Sequence, residues 1–402
     1  MSKIFFLLAI SFTYCLPLYA ASMITEQMLV YSDDSSQHKD YGYTELRALT
    51  RDSEGMFYVA GQASTFNNPD ALLLKIDNTG IVDSKFTVKD GIFNDVVVGL
   101  QGIYATGVHF TKQGVLHFNR DRETLFTKTD LSLNKQWSHT LRGHGGGEEI
   151  ATTTDYGRDT VVIAATQYLP NFLLYHRLKQ QIFVVNSHDG NLIHSKDYGN
   201  NEQIVGDDGE TNRDIANALV AASNNDIFMA GEVKLAHEDG YRTYASLIKR
   251  SDTFDYEWMR IYFDNYTFST ILAITTDNMG NVFIAGVRDK ETFICKLNSA
   301  GKIIWGKVLS DFNAQIKITA LSYDQQFLYA AGSLESEDED SQMYLAKLDG
   351  EGNISWKMKS AFQEAEESSG DSHITDILVD KNMIYGVGAY HEDGCFIRIP
   401  NQ

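Results

Sequence analysis

The sequence predicts an all-β protein, a seven-bladed β-propeller of four-stranded antiparallel blades, from three observations. All four tryptophans stand nine residues after a lysine, at Lys128/Trp137, Lys249/Trp258, Lys296/Trp305 and Lys347/Trp356. A rare residue that keeps one register indicates an internal repeat. A short aromatic or aliphatic run that closes on a small residue occurs seven times, and Asp, Asn and Gly turn sequences accompany it. Seven units of four short strands describe a propeller.

Composition and charge bound the classes of function. The 402 residues are 43% hydrophobic and 12% aromatic with only four prolines, which is typical of a folded chain. The net charge is −20. An excess of carboxylates repels nucleic-acid phosphates and anionic lipid surfaces, so neither is an expected partner.

The N-terminus is interpreted as a signal peptide over residues 1–21. Lys3 begins it, a mostly apolar run extends from Ile4 to Leu18, and small residues follow at Ala20 and Ala21. The run is short for a membrane span. We therefore expect a single propeller domain over residues 22–402, exported to the periplasm or secreted, and monomeric. Its two remaining cysteines, Cys295 and Cys395, are predicted to be buried free thiols.

The repeat unit is clearest in the fifth copy. An alternating strand, Ile271 to Thr275, leads through the turn Asp277–Gly280 to a second strand, Phe283–Gly286. A third strand, Phe293–Leu297, carries the lysine, and a further turn leads to the fourth strand with Trp305. The small residues that close the second strand indicate crowded packing near the axis, and the tryptophans are interpreted as packing between neighbouring blades. The seven copies of the second strand are Tyr58–Gly61, Tyr104–Gly107, Val162–Ala165, Phe228–Gly231, Phe283–Gly286, Tyr329–Gly332 and Tyr385–Gly388.

The last unit lacks a fourth strand, because the chain ends at Gln402 shortly after Cys395–Arg398. A spare strand-like segment, Met23 to Tyr31, precedes the first unit. Pairing it into blade seven would close the ring and remove an exposed edge.

The pattern Asp-x-x-Gly, then Ala-Gly, then Lys-Leu-(Asn/Asp)-x-x-Gly-x-x-x-Trp resembles exported bacterial propeller repeats of the SBBP or delta-60 type. Asp277 to Trp305 and Tyr329 to Trp356 match it best. The Gly-x-x-x-Trp element is also similar to propellers of the PQQ-like superfamily, including its envelope-assembly scaffold subunits. The resemblance implies an exported propeller. These families are defined by scaffold residues, so no catalytic set is implied, and a quinone cofactor is not expected.

The lengths of the loops predict which face of the propeller carries its function. Turns between strands one and two, and between three and four, are short. The opposite connections are predicted to be long and irregular, and function is expected there, on the long-loop face. Strands two and three are joined by 108–123, 166–180, 232–242 and 333–341, and blades are joined by 142–149, 198–214 and 360–372.

Eight residues of this face are the candidate binding site. Aromatic side chains suit stacking on a partner, and acidic side chains favour a cationic or neutral one. Two His-Glu-Asp-Gly segments, at His237 and His391, are interpreted mainly as charged turns, and an isolated metal site is the alternative. The candidates are Tyr168, Phe172, Tyr175, Asp207, Asp208, Glu210, His237 and His391.

No catalytic residue and no resident metal or cofactor are predicted. Gly143–Gly147 resembles the oxyanion loop of some esterases, but no Gly-x-Ser-x-Gly elbow accompanies it, so a flexible connector is expected. Acidic loops such as 207–210 leave Ca²⁺ open beside simple solvation. The expected function is a non-enzymatic platform for a protein or cell-envelope component. The alternative is a propeller that binds or cleaves carbohydrate, with a glycan as ligand.

Overall fold

The structure is a computed structural model. It describes residues 7–8, 12–14, 27–31, 43–65, 68–111, 121–141, 144–155, 158–170, 176–198, 214–238, 240–251, 255–310, 314–324, 326–336, 340–360, 370–391 and 393–401. Every regular element in these ranges is a β-strand, which confirms the all-β prediction. Within them, no helix is long and apolar enough to cross a membrane.

The strands form seven antiparallel sheets, one for each blade, and within a blade the strands follow in chain order from the inside outwards, except that N-terminal strands are added at the outer edges of blades six and seven. Three strands precede the first blade: β1 (Leu7–Leu8), β2 (Phe12–Tyr14) and β3 (Gln27–Tyr31). Blades one to three comprise β4 (Tyr43–Arg51), β5 (Phe57–Thr65), β6 (Asn68–Ile76), β7 (Val82–Val88); β8 (Gly91–Gly99), β9 (Gly102–Thr111), β10 (Asp121–Thr129), β11 (Lys135–Leu141); and β12 (His144–Asp155), β13 (Arg158–Pro170), β14 (His176–Asn186), β15 (Leu192–Tyr198).

Blades four to seven complete the series and confirm the predicted number of blades. They comprise β16 (Ile215–Ala221), β17 (Ile227–His237), β18 (Gly240–Arg250), β19 (Tyr256–Tyr262); β20 (Ser269–Thr276), β21 (Val282–Arg288), β22 (Glu291–Leu297), β23 (Ile303–Leu309); β24 (Gln315–Tyr323), β25 (Leu328–Glu335), β26 (Gln342–Leu348), β27 (Ile354–Ser360); and β28 (Ser372–Val379), β29 (Met383–Tyr390), β30 (Asp393–Pro400).

The N-terminal strand closes the ring as predicted. β3 pairs antiparallel with β30, and Leu29 lies opposite Phe396. Met28 and Leu29 are buried in the cores on either side of blade seven. Strands β1 and β2 pair with β3 and with β27, respectively. Both lie inside the segment that the sequence predicts to be a signal peptide, so a processed chain would lack them.

A bulge in each innermost strand explains the small residue that closes the second strand. In blade five the register between β20 and β21 shifts between Ile271 and Ala273. The carbonyl of Thr270 then occupies the place where a Cβ on Gly286 would stand. The same relation recurs at Gly61, Gly107, Gly231, Gly332 and Gly388. The crowding is therefore local to the bulge and favours glycine in six blades, whereas blade three has Ala165 at this position.

The repeated lysine and tryptophan form a directly opposed cross-strand pair. Lys296 lies between Phe283 on one side and Trp305 on the other. Its amine lies 5.0 Å from the centroid of the Phe283 ring and 3.3 Å from the Asp277 carboxylate at the inner turn. The lysine therefore ties the turn to the blade and is a structural residue.

The tryptophans pack between neighbouring blades, as predicted. Trp305 Nε1 donates a 3.0 Å hydrogen bond to Gly350 O in the turn of blade six, and its ring lies against Gly352. Trp137 Nε1 likewise donates to His188 O of blade three at 2.8 Å. Cys295 and Cys395 are buried free thiols, which confirms that prediction as well.

Candidate functional site

The two faces of the ring differ in the described residues. The short-turn face repeats one hydrogen-bonding pattern, in which a side-chain oxygen of Asp or Asn accepts two backbone N–H groups. At Asp277, Oδ1 accepts from Met279 N at 3.0 Å and from Asn281 N at 2.8 Å. Burial acts to raise the pKa of Asp277, but hydrogen bonds from Asn281 and Lys296 outweigh it and lower the pKa. Such turns are scaffold.

The long-loop face carries extended hairpins where irregular loops were expected. Strands β13 and β14 pair from the blade out to Pro170 opposite His176, and β17 and β18 pair out to His237 opposite Gly240. Strands β17 and β18 have 11 residues each, against seven in β21 and β22 of blade five. The expectation of irregular connections over 166–180 and 232–242 was therefore wrong for their described parts.

The glycine-rich segment near residue 145 is also strand. His144 to Gly147 belong to β12 and pair with Tyr168 to Ala165 of β13. Three consecutive glycines give no alternation of apolar and polar side chains, so the sequence does not indicate a strand there. The predicted flexible connector is thus wrong for this part, and the projection of blade three has three strands.

Blades three and four are joined at the base of their projecting hairpins. Gln180 is buried, and its Nε2 lies 2.9 Å from Ile215 O, from Glu232 O and from Ser246 Oγ of blade four. The Asp214 carboxylate accepts a 3.0 Å hydrogen bond from Lys234 N. A buried amide that serves two blades fixes their relative position, so this part of the face is preformed.

Three of the eight predicted site residues lie within the described residues, and five lie outside them. Tyr168 lies in the projecting hairpin of blade three, opposite Leu178. His237 is exposed at the end of the β17–β18 hairpin, whereas His391 is half-buried, with its ring 4.1 Å from that of Tyr390. The two histidines lie on different blades, and no three His, Cys, Asp or Glu side chains among the described residues are placed to share a metal ion. Outside the described residues lie Phe172, Tyr175, Asp207, Asp208 and Glu210.

Two exposed aromatic residues on this face escaped the sequence analysis. Tyr241 and Phe268 are 39% and 38% exposed. They lie near each other, because Thr243 on β18 forms a parallel bridge with Phe268. The Lys234 amine lies 5.8 Å from the centroid of the Tyr241 ring. Aromatic residues of this kind are common anchors in protein interfaces.

A polar cavity of about 90 Å³ lies in the central channel, where the innermost strands meet. Blades six, seven, one and two supply its polar side chains, and blades four and five give it an apolar wall. The polar side chains are Arg47, Asn94, Asp95, Thr319, Thr375 and Asp376, and the apolar wall is Ala218, Leu219, Leu272, Ala273 and Ile274.

Some of these polar side chains are structural. At three junctions the bulged residue of an inner strand bonds a carbonyl of the next blade: Asn217 Nδ2 donates to Ile271 O at 2.8 Å, and Thr319 Oγ1 to Ile374 O at 2.6 Å. Thr375 Oγ1 donates to Leu46 O at 2.7 Å. These bonds form a belt that holds neighbouring blades in register, so we assign these side chains to the scaffold.

Asp95 and Asp376 stand out from that belt. Each follows the bulge of its strand, a position that Ala48, Ala218, Ala273 and Ala320 occupy in other blades. Aligning the seven inner strands would have revealed three acidic residues at this position, Asp95, Glu149 of blade three and Asp376, where the other four blades have alanine. Burial and the negative charge of Asp95 raise the pKa of Asp376 to about 7, against the lowering effect of its hydrogen bonds from Leu49 N and Ile377 N.

A second charged group lies on the same inner strands, at Glu45, Arg47 and His373. Arg47 Nη2 donates to Glu45 Oε2 at 2.9 Å, and His373 Nε2 lies 3.6 Å from Glu45 Oε1. Burial alone would raise the pKa of Glu45, but His373 and Arg47 outweigh it and lower the pKa to about 2. Arg47 Nη1 also donates to Asn94 Oδ1 at 2.7 Å, which links blades one and two.

Comparison with known proteins identifies the fold. No protein-family model matches the chain, and no curated protein does. The WD40 domain of Pan2 from Neurospora crassa is similar at 10% identity, with 93% of this chain and 94% of that one covered and a TM-score of 0.55. Sqt1 from Chaetomium thermophilum is similar at 9% identity, with coverage of 91% and 97% and a TM-score of 0.49. At these identities the likeness shows only a β-propeller with WD40-type neighbours.

Proposed function

We propose that this chain is an exported, non-enzymatic β-propeller that binds a protein or cell-envelope component through its long-loop face. The paired strands that project from blades three and four, which Gln180 joins at their base, carry the proposal. A preformed surface binds with a smaller ordering cost than a mobile loop. Export follows from the signal-like N-terminus, and it agrees with the exported bacterial propellers that the repeat resembles.

The chemistry of the partner follows from charge and exposed aromatic surface. At a net charge of −20 the protein favours a neutral or cationic partner. Tyr241 and Phe268 supply apolar contact area on the long-loop face, with Lys234 beside Tyr241. A protein segment with apolar and basic side chains fits this surface best.

The test begins with the mature chain, residues 22–402, cross-linked in an envelope extract of its own host, so that the captured partner is identified and its affinity measured. Two variants follow. In one, Asn-Gly joins Lys234 directly to Thr243, a pair that lies opposite in the hairpin. In the other, Tyr241→Ser and Phe268→Ser are combined. Each is expected to weaken binding at least tenfold, since one interface anchor contributes about 2 kcal/mol or more.

The matched control is the double variant Leu100→Ser and Met279→Ser. Both residues lie in short turns of the opposite face and are 80% and 78% exposed. It is expected to bind as the parent chain does. Binding that survives both long-loop variants and is lost in this control would refute the proposal. A partner that proves to be a glycan would support the carbohydrate alternative. An exported chain that still begins at Met1 would contradict the signal-peptide part.

A further inference from the structure

We propose that the outer edge of blade five is an interface at which two copies of this chain pair, strand β23 against its counterpart. β23 is the outermost strand of its sheet, and no described strand pairs with its outer edge. One face of β23 carries an exposed row, Ile304, Gly306 and Val308, which we call the outer row. Ile304 and Val308 are 54% and 44% exposed. The interface lies on the rim of the ring, and a dimer replaces the expected monomer.

The alternation of β23 separates the outer row from residues that serve the scaffold. Trp305 and Lys307 are directed towards blade six, where Lys307 Nζ lies 3.3 Å from Asn353 Oδ1. The outer row alternates with them, so it lies on the opposite face, which is directed towards blade four. On that face Gly306 lies opposite Cys295, a member of the core that blades four and five share.

The outer row of blade five differs from its counterparts in the other blades. The outermost strands of blades one to six align through the residue at the tryptophan position. In the equivalent rows, blades one to four and six each have a charged or amide side chain, namely Lys85, Gln136, Asp197, Glu257 and Lys359. Polar and charged residues on an edge strand oppose unwanted pairing. The outer row of blade five has none, so this edge is open to pairing.

Other outer edges of this ring take an added strand. β2 pairs with β27 at the edge of blade six, and β1 pairs with β3 at the edge of blade seven, so both sheets have five strands. Blade five offers the seven residues of β23 for the same kind of pairing. An extended strand there would satisfy the outward-facing N–H and C=O groups and cover the outer row.

A second copy is the occupant because the sequence of β23 is complementary to itself. Antiparallel pairing centred on Gly306 places Ile304 of each copy opposite Val308 of the other. Both residues are β-branched, and such side chains are favourable cross-strand neighbours. Trp305 then lies opposite Lys307, where an ammonium group can meet an aromatic ring. The twofold axis at Gly306 makes the two halves equivalent, as a symmetric dimer requires.

The charge of the molecule determines how this dimer responds to salt. Each copy has a net charge of −20, so two copies repel each other at low ionic strength. The paired edge itself is held by backbone hydrogen bonds and apolar contact. Salt screens the repulsion between the copies, so the dimer should tighten as the salt concentration rises.

Sedimentation equilibrium of the mature chain, residues 22–402, tests the dimer over a wide range of protein concentration at low and high salt. Val308→Lys should weaken the dimer at least about tenfold, because twofold symmetry places two lysines in the apolar pairs of the interface. Ile261→Lys is the matched control. Ile261 has the equivalent position in blade four and is 43% exposed, and this variant should dimerise as the parent chain does. Both variants should keep the thermal stability of the parent chain.

Cross-linking tests the register of the pairing. The mature chain lacks Cys15, and Cys295 and Cys395 are buried, so an introduced surface cysteine becomes the reactive thiol. Ile304→Cys and Val308→Cys chains are treated with a short bifunctional thiol reagent, each alone and as a mixture. Only the mixture should cross-link strongly, since opposite residues lie about 5 Å apart. In either variant alone the two cysteines would lie about 13 Å apart along the strand.

The results that overturn the proposal are distinct. A chain that stays monomeric at the highest concentration in high salt overturns the dimer. A dimer that Val308→Lys leaves unchanged pairs through another edge and overturns the assignment to blade five. Equal cross-linking of one variant alone and of the mixture overturns the register centred on Gly306. A monomeric chain that binds a strand of a different protein at this edge overturns the second copy as its occupant.

Discussion

At the scale of single residues, the repeated lysine shows how one side chain serves several contacts. The Lys249 amine lies 2.8 Å from both Asp226 and Glu257. Burial acts to lower its pKa, but these carboxylates outweigh it and raise the pKa. Lys347 meets the amide oxygen of Asn401 instead, at 3.2 Å, and burial lowers its pKa. The repeat thus preserves the lysine while its partner varies from blade to blade.

Trp305→Ala is expected to cost about 2 kcal/mol of folding stability. Emptying a fully buried aromatic site costs about 3–5 kcal/mol, and Trp305 is only half-buried against Gly352. Trp305→Phe should cost less, mainly the hydrogen bond to Gly350 O, at about 1 kcal/mol. Urea unfolding of both variants measures the difference. A Trp305→Ala chain with parental stability that no longer binds its partner would make this tryptophan a binding residue.

At the scale of the strand, strands with a buried face could be predicted from the sequence, and strand ends without a buried face could not. The Tyr-x-Ala-Gly strands lie in cores between blades, so their apolar pattern is strong. The ends of β17 and β18 project from the blade, and residues 236 to 238 are exposed. A hairpin end that is exposed to solvent on both faces has no alternation of apolar and polar residues, so its sequence resembles that of a loop. Asp376 was missed for a related reason, because a polar residue facing a channel looks like one facing solvent.

Gly286→Ala is expected to destabilise the chain by about 1–3 kcal/mol, the usual cost of overpacking. The new Cβ would meet Thr270 O, a backbone atom held by the bulge of β20, so neither partner can move away easily. Gly350→Ala is the matched control. Nothing lies within 4 Å of its Cβ position, and the effect should stay within about 0.5 kcal/mol. Thermal unfolding compares the two, and equal midpoints would show that the bulge yields.

At the scale of the whole molecule, closure is what turns seven similar sheets into one domain. Blade count and the closing strand were both predictable, because the repeats can be counted and the last unit lacks one strand. The channel site was not, since it arises only when distant repeats meet: Asp95 and Asp376 belong to the second and seventh blades. An alignment of the inner strands shows the acidic residues, but not that these two lie on one cavity.

Removing the closing strand should destabilise the entire ring. A chain that begins at residue 32 lacks β3, so it loses the burial of Met28 and Leu29, which are 2% and 9% exposed. Two such side chains contribute roughly 3–6 kcal/mol, and the outer edge of β30 becomes an unpaired template for aggregation. The control is a chain that begins at residue 22, which retains β3 and lacks only β1 and β2. Calorimetry should show a single transition for both chains, several degrees lower for the shorter one. Because every blade packs against two neighbours, the loss of stability is expected to affect the whole ring and not blade seven alone. A separate early transition confined to blade seven, or equal midpoints for the two chains, would contradict this account of the closure.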